Sequence, residues 1–115
     1  MLIHGIMRAI TIDTNIGLCV KACGGNRSEA VVLMTVVELS GHGARRAAFT
    51  RDSLAERCGI PRSTIGNYLN ALRVRDLIET WLAAGPDSGS HSICVWADLT
   101  DRAREVLHIP EQEGS

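Results

Sequence analysis

The chain has 115 residues, of which 45% are hydrophobic, so it can bury the core of one domain but not of two. Its formal net charge of -1 at pH 7 argues against binding of polyanions through overall charge alone. The N-terminal stretch MLIHGIMRAITI lacks the basic start and the long apolar body of a secretory signal. The longest unbroken apolar runs, such as residues 30–34, are far shorter than the roughly 20 residues of a membrane helix. We therefore expect a soluble, cytoplasmic protein without a membrane partner.

Residues 1–27 are predicted to form an N-terminal extension that can serve as a dimer contact. Ile10 and Ile12 alternate as in a short strand. Residues 13–15 can begin a short helix, and the pair Gly24-Gly25 can end it. A short strand and a short helix are thus expected before the main domain.

Four cysteines, Cys19, Cys23, Cys58 and Cys94, occur in a chain without an export signal, so reduced thiols are favoured over disulfides. Cys19 and Cys23 stand four residues apart on one face of the predicted helix. Core packing is the favoured interpretation of this pair, and a soft-metal or redox site is the alternative. The histidines add no spacing that strengthens the alternative, so we predict no metal and no cofactor.

A longer helix is predicted for the segment AVVLMTVVEL. Asn26 or Ser28 can cap its start, and Glu29 suits the positive end of the helix dipole. The helix is expected to run to Ser40 and Gly41. Because the segment is apolar nearly all round, the helix should be buried, and its β-branched residues leave a strand as the alternative.

A basic, glycine-containing connection at residues 41–46 leads to a short extended piece at residues 47–49. Thr50 can then cap a helix, and Gly59 supplies the left-handed residue that ends it. Pro61 is expected at the first position of the next helix, where its missing N–H would have no partner. Two short helices joined by a tight turn follow from these residues.

The second of these short helices has two unlike sides. At about 100° per residue, Ile65, Leu69 and Leu72 gather on one side. The opposite side carries small or polar residues, namely Arg62, Ser63, Gly66, Asn67, Asn70 and Arg73. A merely solvated face would carry Glu, Lys or Gln, since Gly and Asn lower helix stability by up to about 1 kcal/mol relative to Ala. This face therefore predicts close approach to a partner, and Asn and Arg can read base edges in the major groove of DNA.

The segment FTRDSLAERCGIPRSTIGNYLNALRVRDLIET resembles the helix-turn-helix core of winged-helix transcriptional regulators, with Ala55, Gly59 and Ile65 at the family's packing positions. LIETWLA and SICVWA read as two wing strands joined by the loop AGPDSGSH. ADLTDRAREVL resembles the helix after the wing in regulators of the multiple-antibiotic-resistance type. The resemblance implies a mainly α fold with a small antiparallel β wing (α+β). This winged helix-turn-helix domain would span residues 28–109, before a flexible tail at residues 110–115.

Two features depart from the family pattern. Asp76 stands where the family commonly has glycine, so we expect either a different turn or an aspartate in the left-handed conformation. The wing loop contains neither Arg nor Lys, so we expect it to meet a phosphate only weakly, through His91 and backbone N–H groups. Trp81 and Trp96, on the wing strands, are expected to pack in the core or an interface rather than to stack on bases.

Positive charge is concentrated in the middle of the chain. Residues 42–75 hold seven arginines and two acids, whereas residues 76–115 hold eight acids and two arginines. Such segregation marks a candidate electrostatic footprint for DNA phosphates. Besides Arg62 in the first turn of the second short helix, the arginines expected to contact phosphates are Arg45, Arg46, Arg51, Arg73 and Arg75. Tyr68 is expected either to pack on the helix partner or to donate its hydroxyl to a phosphate.

Together these patterns favour a sequence-specific transcriptional regulator that binds double-stranded DNA as a homodimer, with the helix at about residues 61–75 in the major groove. A winged-helix protein-interaction module in a multisubunit assembly and a thiol- or metal-responsive regulator are the alternatives. No phosphate-binding glycine loop, acid–base pair or nucleophile elbow points to an enzyme. The predicted DNA-contacting residues are Arg45, Arg46, Arg51, Arg62, Ser63, Thr64, Gly66, Asn67, Tyr68, Asn70, Arg73 and His91.

Overall fold

A computed structural model of the chain describes residues 16–86 and 92–109. The elements in this part are α1 (residues 16–22), α2 (Arg27–Leu39), β1 (Ala47–Phe49), α3 (Arg51–Cys58), α4 (Arg62–Val74), β2 (Ile78–Ala84), β3 (Ile93–Leu99) and α5 (Asp101–Val106). The predicted α+β class is confirmed, and the arrangement is compatible with a winged-helix domain. The predicted strand at residues 10–12, the start of the first helix and the tail at residues 110–115 lie outside the described residues.

Helices α1 and α2 form where the sequence predicted them. Gly24 and Gly25 follow α1 with φ angles of 63° and 90°, a region that favours glycine. The side chain of Asn26 accepts a hydrogen bond from the backbone N–H of Glu29 at 3.0 Å and so caps α2. The strand alternative for α2 is wrong, because Arg27–Leu39 form an α-helix. Most of its residues are buried, as expected for a segment that is apolar nearly all round, and it contacts α3, α4 and β1.

The α3–α4 pair carries the local signals expected of a helix-turn-helix. Thr50 and Ser53 form a reciprocal capping box at the start of α3. Gly59, at φ 66°, ends α3 in the left-handed conformation. Pro61 was expected to be the first residue of α4, but in the structure it is the N-cap. Its ψ of 139° is extended while its carbonyl accepts from the N–H of Ile65 at 3.2 Å, so α4 begins one residue later.

The sheet has the strand order β1-β3-β2, and we call the β2–β3 hairpin the wing. Trp81 pairs with Trp96 across the wing, and Leu82 pairs with Val95. Alternate residues of β3 from Val95 to Leu99 are buried in the core. Leu82 therefore lies on the inner face of the sheet, which faces the core, and the two tryptophans lie on the outer face.

Asp76 and Thr100 tie together the two ends of the wing. Asp76 has φ 60°, which confirms the left-handed aspartate and not the different turn. Its carbonyl accepts from the Thr100 hydroxyl at 2.6 Å. The same hydroxyl oxygen accepts from the backbone N–H of Ala103 at 3.0 Å, which caps α5. The turn before β2 is thus joined to the start of α5.

One hydrophobic core joins the helices and the sheet. Its fully buried large side chains include Leu33, Leu54, Ile65, Leu72 and Leu77. Cys19 and Cys23 bring α1 and the residues after it into the same core. No helix among the described residues is both long enough and apolar enough to cross a membrane.

Candidate nucleic-acid interface

Helix α4 turns one side to the core and the other to the exterior. Ile65, Leu69 and Leu72 are 0%, 6% and 0% exposed, and the helix contacts α2, α3 and β2. These contacts fix the rotation of α4 about its own axis. The predicted polar residues that are exposed on its outer side are Arg62, Ser63, Asn67, Asn70 and Arg73.

Three hydrogen-bonding side chains on this outer side are available to a partner. Ser63, Asn67 and Asn70 make no side-chain hydrogen bond within residues 16–86 and 92–109. The amide of each asparagine offers two donors and one acceptor oxygen. Because these groups are exposed, water satisfies them in the free protein. A partner can therefore engage them without breaking a hydrogen bond inside the fold.

Three other predicted contacts on α4 are half-buried. The hydroxyl of Thr64 donates to the carbonyl of Pro61 at 2.9 Å, so it is already engaged by the helix start. Tyr68 packs against the core, in accord with the packing alternative. A Cβ built on Gly66 would meet no atom within 4 Å. Packing inside the protein therefore does not require a glycine at position 66.

Three of the predicted arginines are paired with acidic residues, and two of these pairs involve Arg46 and Arg62. The guanidinium of Arg62 forms an ion pair with Asp52 of α3, and both side chains are exposed. Nε of Arg46 lies 4.0 Å from a carboxylate oxygen of Asp98. The guanidinium carbon of Arg46 also lies 5.3 Å from the centre of the Trp81 ring, in a cation–π contact. Arg46 is thus held at the outer face of the sheet and is not freely presented to a phosphate.

Arg45, Arg51 and Arg73 form no ion pair or hydrogen bond through their side chains in the part of the chain that the structure describes. Arg75 differs from Arg73, contrary to the expectation. Nε of Arg75 donates to Oε2 of Glu29 at 2.9 Å in a partly buried ion pair. Because Glu29 is buried, Arg75 serves as its counter-charge inside the fold.

A cleft of about 370 Å³ separates α4 from the inner face of the sheet. We call it the α4–wing cleft; its lining residues are Arg51, Gly66, Leu69, Asn70, Arg73, Thr80, Trp81, Leu82 and Val95. Two of these residues are arginines without an ion-pair partner in the described part of the chain, and none of these residues is acidic. The cleft therefore combines positive charge from α3 and α4 with a wing side that Leu82 and Val95 make partly aliphatic.

The core packing expected of the wing tryptophans is not found, because both lie on the outer face of the sheet and neither belongs to the hydrophobic core. Trp96 is half-buried, and its indole N–H donates to the carbonyl of Ala84 at 3.0 Å. Trp81 is 36% exposed and has Arg46 over its ring. His91 and the rest of the wing loop at residues 87–91 lie outside the described residues, so that predicted contact stays a prediction.

The thiols of Cys19 and Cys23 lie in the core. Burial, helped by the neighbouring Cys23 sulfur, raises the pKa of Cys19 to about 12. Burial and the negative charge of Glu29 raise the pKa of Cys23 to about 11, although the positive charge of Arg75 opposes the rise. Both thiols are protonated near neutral pH, whereas reactive and metal-binding cysteines act as thiolates. Nowhere in the described ranges do three or more His, Cys, Asp or Glu side chains form a group that could hold a metal ion.

Sequence reasoning did not place Thr80, Leu82 and Val95 at the site. The alternation in LIETWLA does indicate that Thr80 and Leu82 share a strand face. It does not indicate that this face stands across a cleft from α4, because that depends on how the helix packs against the sheet. The aliphatic side of the cleft is therefore a finding of the structure.

Comparisons with protein-family models, curated proteins and solved structures found no match for this chain. The resemblance to winged-helix regulators of the multiple-antibiotic-resistance type accordingly stays a prediction from its motifs. The functional interpretation depends on the exposed side of α4, on the unpaired arginines and on the α4–wing cleft.

Proposed function

We propose that the protein is a sequence-specific transcriptional regulator that binds double-stranded DNA with α4 in the major groove. The observation that carries the proposal is the exposed side of α4, where Ser63, Asn67 and Asn70 have no partner within the described chain. The opposite side is anchored by Ile65 and Leu72, which are both 0% exposed. A firmly held helix that offers unpaired donors and acceptors suits a groove about 12 Å wide whose base edges carry the complementary groups.

Asn67 and Asn70 are the proposed base-reading residues. The amide of an asparagine can donate to N7 and accept from N6 of adenine at once, which distinguishes that base from the other three. Their spacing of three residues places both amides on neighbouring positions of one helix face. Gly66 lies beside them and has no side chain, so nothing protrudes there between the helix backbone and a partner. The helix can therefore approach the bases closely.

Arg51 and Arg73 are the proposed main phosphate contacts, and Arg45 is a further one. These guanidinium groups break no ion pair within the described residues when they bind a phosphate. Arg62 is proposed to exchange Asp52 for a phosphate. An ion pair between two exposed groups contributes only about 0–1 kcal/mol, so this exchange meets little resistance.

A homodimer is proposed as the DNA-binding form. A groove of about 700 Å³ runs along α1 and α2, and its apolar lining includes Ile16, Val20, Ala30, Val31 and Met34. None of these residues lines the α4–wing cleft, so contact between two copies here would leave the cleft open. Two copies would read half-sites about 10 base pairs apart. Sedimentation equilibrium tests this, and a monomer at the concentrations that bind DNA would remove the dimer.

A winged-helix module for protein interaction is the second candidate. It is favoured by the wing, which exposes 68% of Leu82 and 61% of Ile93. Exposed aliphatic side chains that share a surface are typical of protein interfaces. Arg46 and Arg62 are also already paired with acidic residues, which reduces the positive charge that faces outward.

Selection of bound duplexes from a random pool, followed by affinity measurements at several salt concentrations, separates the two candidates. DNA binding predicts an enriched sequence and a binding constant whose logarithm falls by about 0.9 per phosphate contact for each tenfold rise in salt. A pool without enrichment, together with no salt-dependent binding to any duplex, contradicts the DNA proposal and favours a protein partner.

A further inference from the structure

We infer that the α4–wing cleft holds one sugar–phosphate strand of the bound duplex, with phosphates against its arginines and a deoxyribose against Leu82. This role rests on the proposed DNA binding and specifies which part of the DNA the wing contacts. It also specifies the kind of contact, since the wing would bind the strand through an aliphatic wall and not through a basic side chain.

The cationic wall comes from α3 and α4. Arg51 and Arg73 line the same cleft as the amide-bearing Asn70. Both arginines are exposed and have no ion-pair partner among the described residues. No carboxylate of a described residue lines the cleft. Two guanidinium groups without a counter-charge in one concave surface favour a row of anions, and the phosphates of a nucleic-acid strand form such a row.

The facing wall comes from the wing, where Thr80, Trp81, Leu82 and Val95 line the cleft, and its aliphatic part is formed by Leu82 and Val95. Leu82 and Val95 pair across the hairpin, and both line the cleft. Val95 is 8% exposed and Leu82 is 68% exposed, so Val95 lies at the base of this wall and Leu82 at its lip. A fully ionic ligand such as inorganic phosphate gains nothing from an exposed leucine. A strand in which charged phosphates alternate with less polar sugars matches both walls at once.

The position of the cleft agrees with the proposed position of α4 in the major groove. An α-helix with its side chains is about 10–12 Å across, and the major groove is about 12 Å wide. A helix in the groove therefore has a DNA strand along each flank. Gly66 and Asn70 belong both to the cleft and to the base-facing side of α4, so the cleft lies on such a flank.

The salt dependence of binding tests the cationic wall. Arg51→Gln and Arg73→Gln should each reduce the salt slope for the selected duplex by about 1, and the double variant by about 2. Arg102→Gln is the matched control, because Arg102 is exposed on α5 and does not line the cleft. Its slope should equal that of the wild type. Unchanged slopes in both cleft variants would overturn the inference.

Neutralising single phosphates locates the strand. A single phosphate of the duplex is replaced by an uncharged methylphosphonate, one position at a time. The affinity of the wild type should fall most when the replaced phosphates are neighbours on one strand. At one of these positions the replacement should cause no further loss of affinity in Arg73→Gln, because that variant already lacks the contact. At another of these positions it should cause no further loss in Arg51→Gln. Additive losses at every position, for both variants, would show that neither arginine meets a backbone phosphate.

Variants of Leu82 test the aliphatic wall. Leu82→Ser should weaken binding roughly three- to tenfold without changing the salt slope, because apolar contact is lost and no charge is removed. Leu82→Met keeps the apolar volume and should bind as the wild type does. Equal affinities of the serine variant and the wild type would remove the sugar contact. Thermal unfolding of both variants checks that the fold is retained.

The outcomes separate this inference from the proposed function. If the wild type binds no duplex in a salt-dependent manner, the DNA proposal and the cleft assignment both fall. If the wild type binds a selected duplex with a steep salt slope and the cleft variants match it, only the cleft assignment falls. The strand would then pass elsewhere on the arginine-bearing surface.

Discussion

The α4 surface and the α1–α2 layer (residues 16–43) use the same residue types in opposite ways. In the α1–α2 layer, Asn26 caps a helix and the buried Ser40 forms two hydrogen bonds. Arg75, from the end of α4, neutralises a buried glutamate of this layer. On α4 their counterparts are exposed and have no partner among the described residues; these are Ser63, Asn67 and Arg73.

The difference shows that residue type indicates a binding surface only when the fold leaves the group unpaired. Arg73 and Arg75 lie two residues apart, yet Arg73 has no partner among the described residues, whereas Arg75 contacts Glu29, which lies 46 residues away in the sequence. A polar group in a folded protein is either satisfied internally or exposed to water. Groups of the second kind are the ones available to a partner.

The largest expected effect concerns the α1–α2 layer at high pH. The folded-state pKa values of Cys19 and Cys23, about 12 and about 11, lie above the value of about 8.5 for a thiol in the unfolded chain. Their contribution to stability is complete below about pH 8.5 and is lost as pH rises towards the folded-state values, because the unfolded chain releases these protons first. We expect a loss of up to about 2 kcal/mol per thiol by pH 10.

Urea unfolding at pH 7 and pH 10 measures this loss. The matched control is the double variant Cys19→Ala/Cys23→Ala, in which the fall of the unfolding free energy over the same range should be clearly smaller. An identical fall in the wild type and the double variant would show that these thiols are not protonated core groups.

Substitution of Arg75 and of Arg73 tests the difference between the paired and the exposed arginine. Arg75→Gln leaves Glu29 buried without its charged partner, so we expect the free energy of unfolding to fall by about 1–3 kcal/mol. Arg73→Gln removes an exposed, unpaired group and should change stability by less than about 0.5 kcal/mol while weakening DNA binding. Denaturant unfolding and duplex titration of both variants measure this. Equal stability losses would erase the distinction.

The two asparagines make a similar pair with a smaller effect. Asn26→Ala removes the N-cap of α2 and should lower stability by about 1 kcal/mol. Asn67→Ala removes no internal hydrogen bond within the described residues and should raise stability by up to about 0.5 kcal/mol, because alanine is the better helix former. Thermal unfolding distinguishes the two, and a clear loss in the Asn67 variant would mean that this amide has a structural role.

The local elements could be predicted from the sequence because their signals are local. Thr50, Gly59 and Asp76 each specify a cap or a left-handed turn within a few residues, and all three do so in the structure. The α4–wing cleft and the partner of Arg75 could not be predicted in this way. They depend on strand register and on contacts between residues far apart in the sequence.

The predicted site shows the same division. The periodicity of α4 correctly indicated which side faces out, since Ile65 and Leu72 are buried and Asn67 is exposed. Composition alone could not indicate which arginines remain free. Asp52 lies opposite Arg62 only because α3 and α4 pack together, and that packing is a tertiary property.

Gly66→Ala is expected to change stability and DNA binding in opposite directions. The added methyl meets no atom within 4 Å, so the substitution should stabilise the protein by about 0.4–1 kcal/mol. The same methyl raises the α4 surface where we propose close approach to DNA, so binding to the selected duplex should weaken. A variant that is more stable and binds equally well would contradict close approach at this position.

The central claim is that Asn67 and Asn70 read bases, and the affinity ratio between a selected and a random duplex tests it most directly. We expect Asn67→Ala and Asn70→Ala each to reduce that discrimination by about 1–3 kcal/mol, whereas Arg51→Gln should weaken binding to both duplexes alike. Equal losses on the selected and the random duplex for both asparagine variants would contradict the account.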